Sequence, residues 1–553
     1  MASASDKTVF EESVEGQDNV NLFESKKWTY ITDSTSSNGA FSGQMQFDLN
    51  TLSSQNQWTD LSQAVITFPV KLTISNTVAT APGSVGINAA TIKNGFHQFI
   101  DSMQVVIGGT TVQSSQIFTN IDANYKILTE WSQDTLKKYG PTLGLGLDDF
   151  VSVADTATTV TDSLDNAGLT TNVINGATGF KIWTTKNPGI KERLINFNSN
   201  SATTTFGKSI LGTNQAVLGK SNVQANSSAT ALADVFCLYA LGTIRLKDIS
   251  DSISKMPLVK GLKGFIYINY NSSTHTISNT GADAAITSVS SSAVFGRCSP
   301  AVFNNTATIG CTLSAASTAP ITFKADINGT DSAGCPLAVT TQRNAVLYAP
   351  YYVATPEVDR ALTFKKTIRY NERFVTQFNI GASGNYTATL SPGISNPKRV
   401  ILYPYFTGAD SAAQNSGFIS NPLLSPFDGT PSTTSPFAAL KDLQLYVGNV
   451  PMFQQPVTMD WQTFANEVGQ NGLDGGLVDQ ASSGLLSQRT WNQLYRYYTC
   501  DIGRRMNSED GASKSIQISC TNATLCPMTV VSIIWYEREI TIDTASGMVM
   551  QSM

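Results

Sequence analysis

Charge is scarce in this sequence. Lys and Arg number 36 and Asp and Glu 41 in 553 residues, 14% together, against the usual quarter. Ser, Thr, Asn and Gly stand in their place, so the surface is solvated largely by neutral hydroxyls and amides. The net charge is −5, and neither end carries a basic run. The opening stretch MASASDKTVFEESVEGQD holds Asp6, Glu11, Glu12, Glu15 and Asp18 against Lys7 alone. A tail that condenses nucleic acid releases counterions through many Lys and Arg. This composition excludes such a tail, and no sequence-specific nucleic-acid binding is expected.

Histidine is nearly missing. His97 and His275 are the only two, and neither has a second ligand at metal spacing. A Ser-His-Asp site would need one of them, and nothing around either suggests it. Paired carboxylates of a glycosidase kind do not stand out. No catalytic, cofactor-binding or metal residue is therefore expected, and no cofactor. GLGLDD (144–149) and GQNGLDGG (469–476) lack the Lys-Ser/Thr of a phosphate loop and read as turns. DGGLVD (474–479) lacks the dense oxygen ligands of a calcium loop.

Cysteine is sparse and odd in number: Cys237, Cys298, Cys311, Cys335, Cys500, Cys520 and Cys526, with no C-x-x-C. Free buried thiols are expected. A bridge among Cys298, Cys311 and Cys335 is the alternative. No run approaches eighteen apolar residues, so no membrane span is expected. The first residues lack an apolar h-region, so no secretory signal is expected either. The six Asn-x-Ser/Thr triplets, at Asn226, Asn271, Asn304, Asn328, Asn385 and Asn522, then reflect composition.

Strand signals are what the chain has in plenty. QAVITFPVKLTI (63–74), DSMQVVIGGTTV (101–112), GFIYINYN (264–271), RNAVLYAPYYV (343–353) and TVVSIIWYEREITI (529–542) are rich in β-branched and aromatic residues. Helical spacing appears in 116–139, through Ile117, Ile121, Tyr125, Leu128 and Trp131, and more briefly in 246–256 and 458–468. No βαβ rhythm is present, which argues against a parallel sheet. Residues 150–232 and 272–340 are Ser/Thr-rich and read as long excursions with small strands of their own. GRR (503–505) and PKR (397–399) are isolated basic spots, expected to form salt bridges. The aromatics Trp461, Trp491, Tyr495, Tyr497, Tyr498, Trp535 and Tyr536 are expected in core and subunit-interface positions.

The length exceeds one ordinary core, and the strands recur in order. AVITFPV (64–70) matches RVILYPY (399–405), each with a proline inside a strand-like run. SMQVVIGG (102–109) matches DLQLYVGN (442–449), and a helical pattern follows both. IYINYNSST (266–274) pairs with IQISCTNAT (516–524), and AVLYAPYYV (345–353) with TVVSIIWYE (529–537). The copies differ in length where the Ser/Thr-rich stretches lie. We read two homologous β-domains, each with about eight strands, as suits a jelly roll. The prolines are expected where a strand leaves its ladder, at a corner or edge.

The run GTIRLKDISDSISKMPLVKGLKGFIYINYN (242–271), then NAVLYAPYYVATPEVDRAL (344–362), then a second β-domain resembles double jelly-roll major capsid proteins. The likeness is to those of polinton-like viruses, adintoviruses and virophages, in the adenovirus hexon lineage. Leu347, Tyr348, Pro350 and Tyr352 fit the family's closing strand, and Pro356-Glu357 opens its linker. The long Ser/Thr-rich loops match no one member. The resemblance implies an all-β chain of two tandem eight-stranded antiparallel jelly rolls with long insertions and a few short helices. It implies an N-terminal arm over 1–39 and a first jelly roll over 40–355. A linker at 356–368, a second jelly roll over 369–543 and a C-terminal tail at 544–553 follow. It further implies a homotrimeric, pseudo-hexameric capsomer tiling an icosahedral shell around a DNA genome, located in the virion. Neighbouring capsomers, pentons and minor or cement proteins would be its partners, and it would not be an enzyme. Two alternatives stand beside it: a single jelly-roll coat protein with a protruding domain, and a non-viral carbohydrate-binding or adhesive β-protein.

Overall fold

The computed structural model describes residues 22–53, 57–76, 89–147, 195–196, 222–223, 236–279, 286–294, 297–303, 321–330, 342–406, 423–424, 438–470, 484–503, 512–525 and 527–551. The expected excursion at 150–232 lies almost wholly outside them.

Eight strands of the first half pair into two facing sheets. They are β1 (Phe23–Thr32), β2 (Gln44–Asp48), β3 (Val65–Asn76), β4 (Ile100–Ile107), β5 (Thr110–Gln113), β6 (Phe236–Arg245) and β7 (Gly264–Tyr270), then, after β8 (Ser272–Asn279), β9 (Ile286–Val294) and β10 (Ile321–Ile327), β11 (Val346–Ala354). One sheet runs β1–β11–β3–β6, the other β2–β7–β4–β5. Strands β8 to β10, from the expected 272–340 excursion, extend the first sheet from the far half of β3.

The second half repeats this. Its strands are β12 (Lys365–Ile380), β13 (Asn385–Ser395), β14 (Pro397–Phe406), β15 (Leu440–Val447), β16 (Val450–Pro451), β17 (Tyr498–Asp501), β18 (Ser513–Asn522) and β19 (Met528–Asp543), with a closing β20 (Val549–Gln551). One sheet runs β12–β19–β14–β17 and the other β13–β18–β15–β16. Taken in chain order, first with first and last with last, the pairing diagrams of the two halves are the same. The four matched sequence segments are the equivalent strands β3 and β14, β4 and β15, β7 and β18, β11 and β19.

Local chemistry explains the shared marks. Both β4–β5 and β15–β16 are joined by two residues with positive φ, Gly108-Gly109 (58° and 80°) and Gly448-Asn449 (59° and 68°). That is the turn whose twist matches a hairpin, and it calls for Gly or Asn. In β7, GFIYINY, alternate residues are buried, as a strand with one face on a core requires. Strand β14 is buried almost throughout because β19 and β17 flank it.

The prolines do not end their strands, contrary to expectation. Strand β3 runs through Pro69 to Asn76. Its partner changes there: β11 pairs Val65–Thr67, and β10 pairs Val70–Asn76. Pro69 sits in the gap, where a missing N–H costs no ladder bond, and its carbonyl accepts from Asn328 N at 3.0 Å. Strand β14 likewise continues past Pro404 on β19, while its other partner β17 stops at Leu402.

Helices cap the sandwich ends: α1 (Thr119–Glu130), α2 (Gln133–Leu143), α3 (Leu246–Ile249), α4 (Asp251–Ser254), α5 (Pro356–Leu362), α6 (Trp461–Gln470) and α7 (Gln488–Gln493). The single helix expected over 116–139 is two. Ser132 starts the second by accepting from Thr135 N, an N-cap that satisfies an otherwise orphan donor. Residues expected as arm, linker and tail also carry structure. β1 lies within 1–39, α5 and the start of β12 within 356–368, and β20 within 544–553.

Each sandwich has its own core. The first is built on Met45, Phe47, Ile66, Phe68, Val105 and Ile266. The second is built on Val400, Leu445, Phe464, Trp491, Ile518 and Ile533.

Candidate functional site: the seam between the sandwiches

Helix α1 follows β5 in the first half, yet it packs in the second core. Ile121, Tyr125 and Leu128 fall at helical spacing on one face, and that face is buried there with Trp131. The Tyr125 ring meets Tyr497 and Trp535 edge-on, at centroid distances of 5.4 and 5.8 Å. Its hydroxyl lies 2.9 Å from Thr499 Oγ1 and accepts from Arg399 Nη1 at 3.0 Å. Asn124 Nδ2 donates to Tyr497 OH, and Leu485 N to Leu128 O. Gly484, with φ +59°, passes so close to α1 that a Cβ would lie 2.6 Å from Thr129 O.

The exchange is reciprocal. Ile368 and Tyr370 of β12, Ile540 and Ile542 of β19 and Val549 of β20 belong to the first core. Strands β12 and β19 are each sixteen residues long. One half of this ribbon lines its own sandwich and the other half lines the neighbour.

Charged groups cross the seam where the ribbon passes α1. Arg373 Nη1 lies 3.0 Å from Asp122 Oδ2, and its Nη2 donates to Thr119 Oγ1 at 2.6 Å. Trp535 Nε1 donates to Asp122 Oδ1 at 2.7 Å, and Lys126 Nζ lies 3.6 Å from Oδ2. Glu372 accepts from Ser114 N and Oγ on one oxygen, and from Tyr536 OH and Arg538 Nη1 on the other. Asn371 N donates to Asp251 Oδ2, and Tyr370 OH to Val112 O. A cavity of about 20 Å³ lies here beside Arg373 Nε, which makes no protein hydrogen bond. That is room for one water.

The electrostatics follow from burial and pairing. Burial by itself raises the Asp122 carboxyl, but Lys126 and Arg373 outweigh it and hold the group below the usual carboxylate range. Lys126 is pulled down by burial and pushed higher by Asp122, Asp251 and Glu130, with a net rise. Glu130 is raised by burial and, against Lys126, by the same crowd of carboxylates. Asp122 with Arg373, and Glu372 with Arg538, are paired, which is what keeps a buried charge from destabilising the fold.

The other sequence candidates sit elsewhere. His97 and His275 are buried, and desolvation takes both down to about 3. His275 Nε2 lies 2.6 Å from Ser299 Oγ in a closed interior. Cys298, Cys500 and Cys520 are free and buried, and burial pushes the Cys298 thiol up to about 11. Cys311 and Cys335 lie outside the described residues, as do Arg504 and Arg505 of GRR, residues 471–476 of GQNGLDGG and all of DGGLVD. In PKR, Lys398 pairs with Glu537 at 3.1 Å, and Arg399 is buried against Tyr125 and the Glu467 and Val468 carbonyls. Trp461, Trp491, Tyr495, Tyr497, Tyr498 and Trp535 are core residues. Among the described residues no three His, Cys, Asp or Glu are placed to hold a metal, and no helix is long and apolar enough to cross a membrane.

Sequence reasoning did not single out Asp122, Glu372, Arg373 or Arg538. The available signal was Asn371-Glu372-Arg373 in the middle of an aromatic-flanked strand, where charge is out of place unless something pairs with it.

No protein-family model matches the chain, and no curated protein sequence does. Its backbone is similar to several solved structures. The mavirus major capsid protein matches at TM-score 0.48 and 10% identity, over 97% of this chain and 92% of that one. A chain of the Sputnik virophage matches at 0.44 and 13%, over 96% and 89%. The Faustovirus major capsid protein matches at 0.43 and 11%, over 94% and 91%. By its own strand pairing, the chain is a double jelly roll: two antiparallel eight-stranded sandwiches of one topology, interlocked across a charged seam.

Proposed function

We propose that the chain is a viral major capsid subunit and not an enzyme. The observation that carries this is the duplication itself: two sandwiches of the same topology held as one body. Three such chains around a threefold axis present six nearly equivalent sandwiches, a block that tiles a facet with sixfold packing. Residues 356–368 serve as the linker between the two jelly rolls. The DNA genome, the location in the virion and contacts to pentons and minor proteins follow from the sequence resemblance. A coat with a single jelly roll does not fit a chain with two.

One surface supports self-association. Trp28 and Tyr30 on the outer face of β1 are 53% and 71% exposed, and they sit across from Pro350 and Tyr348 of β11. Lys26 Nζ lies 5.5 Å from the Trp28 ring and 5.3 Å from that of Tyr352. An exposed aromatic patch of this kind marks a contact surface. On β1 the exposed Lys26 and Lys27 outnumber Glu24, while the chain as a whole is acidic. We therefore assign the patch to another copy of the chain.

The test is the native mass in solution by light scattering on a sizing column, followed by imaging. A species near three times 59.2 kDa that forms shells or hexagonal arrays is expected. A strict monomer at high concentration would sink the proposal and favour an adhesive β-protein.

A further inference from the structure

The seam is not the only bond between the sandwiches. Beyond β19 the chain turns at 543–548 and returns as β20, and this hairpin lies in the first sandwich. Thr544 is buried, and its Oγ1 lies 2.6 Å from Leu362 O and 2.7 Å from Phe364 O. Lys260 N donates to Thr544 O at 2.7 Å, and Thr110 Oγ1 to Val549 O at 3.3 Å.

Three glycines in the left-handed region lock the contact: Gly108 (φ +58°), Gly261 (φ +70°) and Gly547 (φ +67°). A Cβ on Gly108 would lie 3.0 Å from both Gly547 O and Val549 N. One on Gly547 would lie 2.9 Å from Gly261 O, and one on Gly261 would lie 3.2 Å from Ala545 O. Each glycine thus leaves room for the next backbone as well as supplying the turn.

We propose that this hairpin is a clasp that fixes the angle between the sandwiches, and that a closed clasp is required for the subunit to assemble. The reading rests on the capsid proposal for its assembly half alone. The seam crosses β12 at Glu372 and Arg373, and the clasp holds the ribbon at Lys365 and Asp543. These points are roughly 27 Å apart along an extended strand. The seam and the ribbon side chains buried in the first core hold one end of this span; the clasp holds the other, so the sandwiches cannot rock about the seam. Tiling needs a fixed angle, because an angular error in each block adds up across a facet.

The test uses full-length Gly108→Val and Gly547→Val, with amide hydrogen exchange on the unassembled subunit and assembly yield by imaging. At least tenfold faster exchange is expected at 108–110, 260–262 and 549–551, with the Ser114 and Asn371 amides at the seam unchanged. Assembly yield should fall at least tenfold while far-ultraviolet circular dichroism stays native. Unchanged exchange overturns the clasp, and faster exchange with unaffected assembly overturns its role in assembly. Should both variants fail to fold, Thr110→Val, which loses only the hydroxyl bond to Val549, is expected to move exchange in the same direction. A wild-type chain that never assembles counts against the capsid reading; the exchange result then still decides the clasp.

Discussion

The eight strands of each sandwich pair alike, yet the outward sides of the β1–β11 and β12–β19 ribbons differ in kind. On the first, β1 and β11 show Trp28, Tyr30 and Tyr348. On the half of the β12–β19 ribbon that reaches over the first core, the outward residues are Lys365, Thr367 and Arg369 opposite Asp543, Thr541 and Glu539. The second face satisfies itself, with Arg369 2.8 Å from Glu539 and the two threonine hydroxyls 3.0 Å apart. The first does not, because aromatic rings in water are left uncovered. Duplication kept the backbone and freed the surfaces. The inner sides were kept by packing, since each core accepts only side chains that fill it, whereas the outer sides could diverge toward solvent or toward a neighbour.

The largest loss is expected at the seam that joins the halves. Arg373→Ala leaves Asp122 buried without its guanidinium, and a loss of about 3–5 kcal/mol is expected. Chemical denaturation measures it, and a loss below about 1 kcal/mol would show that Lys126 alone holds the carboxylate. Tyr125→Ala should cost about 3–5 kcal/mol as well. Its signature is placement: faster hydrogen exchange in β14 and β17 of the second sandwich, though Tyr125 belongs to the first half by sequence. Exchange rising only in the first sandwich would refute the swapped helix.

Acid should act on the same pair. The Asp122 carboxyl sits lower in the folded chain than when unfolded. Its contribution is fully present above the ordinary carboxylate range and is lost as pH falls through the lowered value. Asp122→Asn should therefore flatten the fall in stability below about pH 4. An unchanged acid slope would place the effect on other carboxylates.

Smaller still is the effect expected at the two-residue turn that joins β4 to β5 and β15 to β16. Gly448→Ala places a Cβ at φ +59° where it meets only the Lys514 side chain, at 3.7 Å, and about 1 kcal/mol is expected from backbone strain. Gly108→Ala should cost more, since its Cβ also meets the Gly547 carbonyl. Equal losses would mean that no contact forms there. The smallest effect on stability, within about 0.5 kcal/mol, is expected for Trp28→Ser with Tyr30→Ser. These changes should instead weaken self-association, read by light scattering against Thr367→Ala on the outward side of the β12–β19 ribbon. If both faces respond alike, the aromatic patch is not the contact.

The repeat was legible because strands advertise themselves. Gly108 and Gly448 recur because one turn type demands positive φ, and Gln-x-x-x-Gly keeps its place before each. Pro69 and Pro404 were legible as a matched pair but misleading as strand ends. What excuses a proline is the run of its neighbouring strands, and Val65–Thr67 does not announce that its partner stops there. The helix over 116–139 was legible as apolar spacing, and Ser132 carried the sign of its break.

By itself, then, the sequence determined that this is an all-β chain built twice, through alternation, turn residues and matched order, all of which act over a few neighbouring residues. Only the tertiary structure decided where α1 would lie, which sandwich the ends of β12 and β19 would fill, and that Asp122 would face Arg373 from the far half of the chain. Those choices depend on which surfaces meet after both sandwiches have formed, and burial, unlike a turn, has no address in the local sequence.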